Sequence, residues 1–182
     1  MADRVFGYGS LVNRATHAMA PAVPARLAGW RRVWVHVAAR PVAFLSVRRA
    51  PGAILGLAAE VEPGGWPALD AREAAYGRQG VTAEAADGPL PVQVYAVPEG
   101  AGARPAAAYP ILMSYLDTVV QGFLDVFGEA GAADFFASTD GWDAPVVDDR
   151  TAPLYPRAQL LTARETALVD ALLATTAAHI LR

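Results

Sequence analysis

The first hundred residues are crowded with short apolar segments interrupted by glycine and proline, and this spacing constrains the fold more than any other feature of the chain. Val5-Phe6 breaks into Gly7-Tyr8-Gly9-Ser10-Leu11, a strand entering a tight loop where glycine supplies backbone conformations that other residues resist. Residues 12–24 are expected as a loop or short helical turn. Ala25 to Val37 then alternates as a strand with a bend at Gly29. Further strands are expected at Ala43–Arg48, Ile54–Val61 and Val92–Val97, punctuated by Pro51-Gly52 and Pro63-Gly64-Gly65. Closely spaced strands with glycine kinks favour a small, highly curved sheet or barrel.

Helical periodicity enters later. Helices are expected from about Gly65 to Tyr76, from about Ala106 to Phe127, and from Thr162 to the C-terminus. The last opens on Thr162-Ala163-Arg164-Glu165, the capping-box spacing in which Thr and Glu satisfy each other's orphan amides. Residues 128–156, rich in Asp, Gly and Pro, predict a long ordered loop. The connector Gly100-Ala101-Gly102-Ala103-Arg104-Pro105 is too short to divide the chain, so one domain over 1–182 is expected. The expected class is α+β, a small curved mixed β-barrel with flanking α-helices.

Composition narrows the chemistry. The chain has no Cys, and all 15 of its basic Lys+Arg residues are Arg, which removes thiolate nucleophiles, Cys-held metals and lysine Schiff bases. His17, His36 and His179 lack metal-ligand spacing, so no metal is expected. A net charge of −3 offers no basic footprint for nucleic acid, and the pairs Arg31-Arg32 and Arg48-Arg49 are expected as solvated strand ends. No apolar stretch reaches about 18 residues, which argues against a membrane span. The opening Met1-Ala2-Asp3-Arg4 lacks a signal peptide's apolar core, so a cytoplasmic location is expected. Catalysis must then rest on carboxylates, hydroxyls, His or backbone dipoles.

Two features meet that requirement. Successive backbone N–H groups in the loop after Phe6 can form a concave anion site, although many structural turns look locally alike. On the expected first helix, about 100° per residue places Trp66, Leu69, Glu73, Tyr76 and Gly77 on one face. A carboxyl inside that apolar stripe would resist ionisation and could return its proton near neutral pH. The alternatives are a buried Glu73 paired with Arg72 or Arg78, or a residue at a frayed helix end. Asp70, Glu60 and Glu62 are expected as surface or helix-start charges.

Phe6-Gly7-Tyr8-Gly9-Ser10-Leu11, followed by Leu69-Asp70-Ala71-Arg72-Glu73, resembles the gamma-glutamylcyclotransferase superfamily, especially its bacterial and ChaC-like glutathione-degrading members. The resemblance implies a cofactor-independent enzyme acting on a small gamma-glutamyl substrate. It implies that Gly9, Ser10 and Leu11 bind that substrate, with Tyr8 a supplementary contact. Glu73 would carry protons while the substrate's own amine closes the 5-oxoproline ring. Tyr8 is equally readable as an aromatic closing the barrel. Tyr115, at the edge of the apolar arc of the second helix, lines the pocket by resemblance and packs in the core by periodicity. Arg150 and Arg157 either anchor the late loop or reach a substrate carboxylate. Gly-Tyr-Gly-Ser-Leu is no Gly-x-Ser-x-Gly elbow, so a serine hydrolase is rejected. Because the stretch around Glu73 departs from the ChaC-like pattern, the leaving group stays open among cysteinylglycine, an amino acid and an amine. The alternative function is a non-catalytic module that binds a small ligand; oligomeric state is not readable.

Overall fold

The computed structural model describes residues 3–37 and 41–181. Strand β1 (Arg4–Gly7) leads into two 3-10 turns, Ser10–Val12 and Arg14–Thr16, and then into two long strands, β2 (Ala22–His36) and β3 (Ala43–Glu60). Helix α1 (Trp66–Arg72) precedes the hairpin β4 (Gly77–Ala85) and β5 (Gly88–Ala96). The second half carries β6 (Ile111–Leu112), α2 (Met113–Ala137), β7 (Thr139–Asp140), β8 (Pro145–Val147), α3 (Ala163–Leu173) and β9 (His179–Leu181).

The barrel closes in the order β3-β1-β5-β4-β2, with β2 returning to pair with β3. It is mixed because β1 runs antiparallel to β3 but parallel to β5, with Val5 opposite Gln93. The expected α+β barrel with flanking helices is what the chain forms. The main core joins Phe6, Leu27, Trp30, Trp34, Leu45, Ile54 and Leu57 of the barrel strands to Leu116, Val119, Phe123 and Phe135 of α2. Each such side chain contributes about 1.5–3 kcal/mol on full burial.

Several boundaries differ from expectation, each for a physical reason. Residues 43–48 and 54–61 are not separate strands: β3 runs through Pro51-Gly52 without a turn. The pairing of β2 with β3 shifts between Ala28 and Trp30, where Gly29 has φ +77°, so Pro51's missing N–H falls where the ladder is already interrupted. Strand β4 was not expected; its exposed, glycine-containing residues become a strand by pairing with β5 from Gly77–Ala96 to Ala85–Gly88. The second helix starts at Met113 and passes Gly128 (φ +69°) through a kink, so 128–156 is helix, β7 and β8 as well as loop. The capping box at Thr162 and Glu165 forms, but α3 ends at Leu173 and β9 follows, in a small parallel sheet ordered β6-β8-β9.

Of the arginine pairs, Arg48 and Arg49 are exposed as expected, though within β3 rather than at its end, and the first pair departs further. Arg32 is wholly buried. Arg31 lies opposite Arg48 across the β2–β3 ladder, a like-charge pairing that Asp140 relieves by bonding each guanidinium at 2.7 Å. Hydrogen bonds from Arg31, and secondarily from Arg48, hold the Asp140 carboxyl below its ordinary value of 3.8. A depressed carboxyl stabilises the fold above its unfolded value and loses that contribution as pH falls. Asp140→Asn is therefore expected to lower Tm at pH 7, with the gap to the wild-type protein closing as thermal melts are repeated below about pH 4. A constant gap would assign the effect to packing.

Candidate active site

The glycine loop is shaped by close approach. A Cβ on Gly7 would lie 2.5 Å from Leu11 Cβ, and one on Gly9 would lie 2.7 Å from the Tyr115 hydroxyl and 3.1 Å from Leu45 Cδ2. The loop's own turn therefore leaves room only for hydrogen at Gly7, and a side chain at Gly9 would have to displace Tyr115. The first 3-10 turn closes through Val12 N–H to Gly9 O (2.9 Å) and Asn13 N–H to Ser10 O (3.1 Å). Asn13 Nδ2 donates to Thr118 O (2.9 Å) and Gln121 Oε1 (3.0 Å), which fastens the turn to α2.

Glu73 comes from the end of helix α1, whose Leu69 packs in one cluster with Leu11 of the loop. Helix α1 stops one residue before it, so Glu73 is the C-cap rather than the middle of a helical stripe; Tyr76 is past the helix and Gly77 is already in β4. The reason is tertiary: Gly77 pairs with Ala96, and Tyr76 donates its hydroxyl to Leu45 O at 3.1 Å, which pulls the chain off the helix axis. The Glu73 side chain is 18% exposed, and Arg72 Nε lies 3.1 Å from its Oε1. Both alternatives, pairing with Arg72 and a helix-end position, are realised, and the carboxyl still borders the hollow described next.

Glu73, Tyr8, Gly9, Ser10, Leu11 and Tyr115 all line one hollow of about 40 Å³, together with Leu45, Tyr76 and Tyr95. That is room for two or three waters. Tyr8 is buried and donates to Tyr95 O at 2.7 Å, so it closes the barrel and walls the hollow at once. Burial, then the neighbouring Tyr115, pushes its hydroxyl well above the ordinary tyrosine range. Tyr115 is raised likewise, first by burial and then by Tyr76, with the nearby Ser10 backbone working against the rise. Both phenols stay protonated at neutral pH. One carboxyl facing N–H donors and neutral hydroxyls can move protons and hold an oxyanion. Among the described residues no group of three or more His, Asp or Glu is placed to hold a metal ion, and no helix is long and apolar enough to cross a membrane.

Arg150 does not approach the hollow's lining. It grips Asp117 with two bonds of 2.8 Å and Asp170 with a third, while Asp149 caps the start of α2 through Ser114 N (2.7 Å), so the late segment is anchored as expected. Sequence reading missed Arg32, whose Nε donates to Tyr8 O at 2.8 Å. The signal was available: Trp30, Arg32 and Trp34 occupy alternate positions of one strand and so share a face. Tyr95 was also missed, and nothing local marks it; Tyr76 was placed on the face of Glu73 but given no part in the site. A wider groove of about 660 Å³, sharing no lining residue with the hollow, is lined in part by Arg48, Arg49, Arg78 and Val97.

Comparisons place this architecture. An uncharacterized human protein, loc79017, superposes with a TM-score of 0.60 at 14% identity, over 92% of this chain and 97% of its own. A structure titled gamma-glutamyl cyclotransferase superposes at 0.58 with 13% identity, over 92% and 98%. YkqA from Bacillus subtilis follows at 0.54 and 16%, over 65% and 47%. These likenesses define the fold class as gamma-glutamyl cyclotransferase-like. No curated protein matches the chain in sequence. The family model described as "Gamma-glutamyl cyclotransferase, AIG2-like" matches residues 5–115, from the first strand through the glycine loop and Glu73 to Tyr115. The chain belongs to that family.

Proposed function

We propose that the protein is a gamma-glutamyl cyclotransferase that releases 5-oxoproline from a gamma-glutamyl amide or peptide. The observation that carries this reading is the convergence of the Glu73 carboxyl and the Gly9-Ser10-Leu11 backbone on one small hollow. Family membership supports the same class of activity.

In this mechanism Glu73 accepts a proton from the substrate's α-ammonium group. The freed nitrogen attacks the γ-carbonyl carbon of the same glutamyl unit, forming the ring C–N bond while the carbonyl oxygen takes up negative charge. Loop N–H groups hold that oxygen. The attacking nitrogen sheds its second proton and the scissile C–N bond breaks. The departing nitrogen receives both protons through Glu73, which ends as it began. Nucleophile and electrophile belong to one molecule, so binding them folded together supplies orientation worth on the order of 7–11 kcal/mol. In this reading the hollow takes the reacting end of the glutamyl unit, its amine and γ-carbonyl, and the departing group lies outside it.

The test is incubation with glutathione, a gamma-glutamyl dipeptide and a gamma-glutamylamine, with 5-oxoproline quantified. Turnover of at least one is expected. Binding without turnover across the panel would replace this reading with a non-catalytic small-ligand module; neither binding nor turnover would end both.

A further inference from the structure

Arg32 is the most deeply buried charge among the described residues, with 0% of its surface exposed. Its guanidinium donates from Nε to Tyr8 O at 2.8 Å, from one terminal nitrogen to Ser138 Oγ at 2.5 Å, and from the other to Leu55 O. The rings of Phe123 and Phe135 cover it at 4.8 and 5.1 Å. No carboxylate among the described residues pairs with it directly. Asp134 supplies the counter-charge from a distance, and its Oδ2 is itself buried without a hydrogen-bond partner. Burial pushes the guanidinium down to about 9, so it remains a cation at neutral pH.

Placing a cation in an apolar core costs several kcal/mol unless something there uses it. Tying Tyr8, Leu55 and Ser138 together requires only donors. What distinguishes a cation is its effect on the peptide it touches. Tyr8 O and the Gly9 N–H belong to one amide, which is trans, since the cis bond among the described residues is Ala20–Pro21. The two groups therefore point in opposite directions. A charged donor on the oxygen withdraws electron density along the amide and makes the far N–H a stronger donor. Gly9 borders the hollow, and no backbone acceptor among the described residues takes its N–H.

We infer that Arg32 is a positioning residue for the reaction, holding the Tyr8–Gly9 peptide in place and polarising it so that the Gly9 N–H binds developing negative charge in the hollow. This rests on the proposed reading of the loop. The effect is confined to the transition state in so far as charge develops there, so loss of the cation lowers kcat more than it raises KM.

The experiment compares Arg32→Met and Arg32→Lys with the wild-type protein, using folded protein verified by circular dichroism and the panel substrate turned over best. Arg32→Met is expected to lower kcat about 100-fold, the scale of one oxyanion donor, with KM within about threefold. Arg32→Lys retains the cation and is expected to recover at least about tenfold of that loss. In amide NMR spectra the Gly9 proton should move upfield in the methionine variant and less in the lysine variant, with Leu11 not following. Equal impairment in both variants, kcat within threefold in the methionine variant, or an unmoved Gly9 amide would overturn the inference. If Arg32→Met does not fold, the Gly9 amide of Arg32→Lys decides: a downfield position close to wild type supports polarisation, and a shift to the position of an unperturbed amide refutes it. Should the wild-type protein turn over no panel member, the functional reading fails by itself and the Gly9 shift still judges Arg32.

Discussion

Glu73→Gln should abolish measurable 5-oxoproline release, lowering kcat by roughly 10²–10⁴, the range set by loss of a positioned proton carrier. Glutamine keeps the length and planarity of the side chain, so the hollow's outline is preserved while the proton acceptor is lost. A predictable side effect is loss of the ion pair with Arg72, a sequence neighbour 3.1 Å away. Partly exposed pairs of this kind are worth at most about 1 kcal/mol, so the variant should melt within a few degrees of the parent. Ligand affinity, read calorimetrically with 5-oxoproline, should change little because the loop N–H groups are untouched. Retained kcat would remove Glu73 from the chemistry. Loss of affinity together with turnover would make it a substrate anchor rather than a proton carrier.

Gly122→Ala is expected to destabilise the protein although alanine is the better helix former. In an open helix this substitution gains about 1 kcal/mol. Here the new Cβ would stand 2.5 Å from Asn13 N, 2.6 Å from its Cα and 2.7 Å from its Cβ. Those atoms cannot swing aside, because Asn13 is bonded to Thr118 O, one turn before Gly122, and to Oε1 of the adjacent Gln121. Overpacking of up to about 3 kcal/mol should outweigh the propensity gain, leaving a net loss of roughly 1–2 kcal/mol. Thermal melts should fall by about 2–8 °C. Because the displaced turn carries Ser10 and Leu11, turnover should fall as well, through kcat rather than through stability alone at temperatures well below the melt. A raised Tm would show that the turn has room to move, and the account of its seating would be wrong.

These two residues differ in how openly they declare themselves. Glu73 could be singled out from a helical wheel, yet the wheel was drawn over the wrong span: α1 ends at Arg72, and Glu73 faces the hollow from a C-cap. Gly122 carries no signal at all, since its importance lies in a backbone more than a hundred residues earlier. Arg32 stands between these cases. Strand alternation with Trp30 and Trp34 put it on the inner face, but the general rule that adjacent arginines are solvated concealed it.

Patterns that depend on a few neighbouring residues were legible in the chain itself: the bend at Gly29, the tight loop around Gly7 and Gly9, the capping box at Thr162 and Glu165, and a curved barrel of glycine-broken strands. Steric freedom, side-chain alternation and local capping act over one to four residues, so they are written where they operate. Partnership over long separations was decided only in three dimensions. Pairing with β5 made β4 a strand, the Gly77–Ala96 register ended α1 early, and Tyr115 met Gly9 because α2 packs against the turn that follows β1. Each depends on surfaces brought together from distant parts of the sequence, and the free energy of burying them is available only once all are in place.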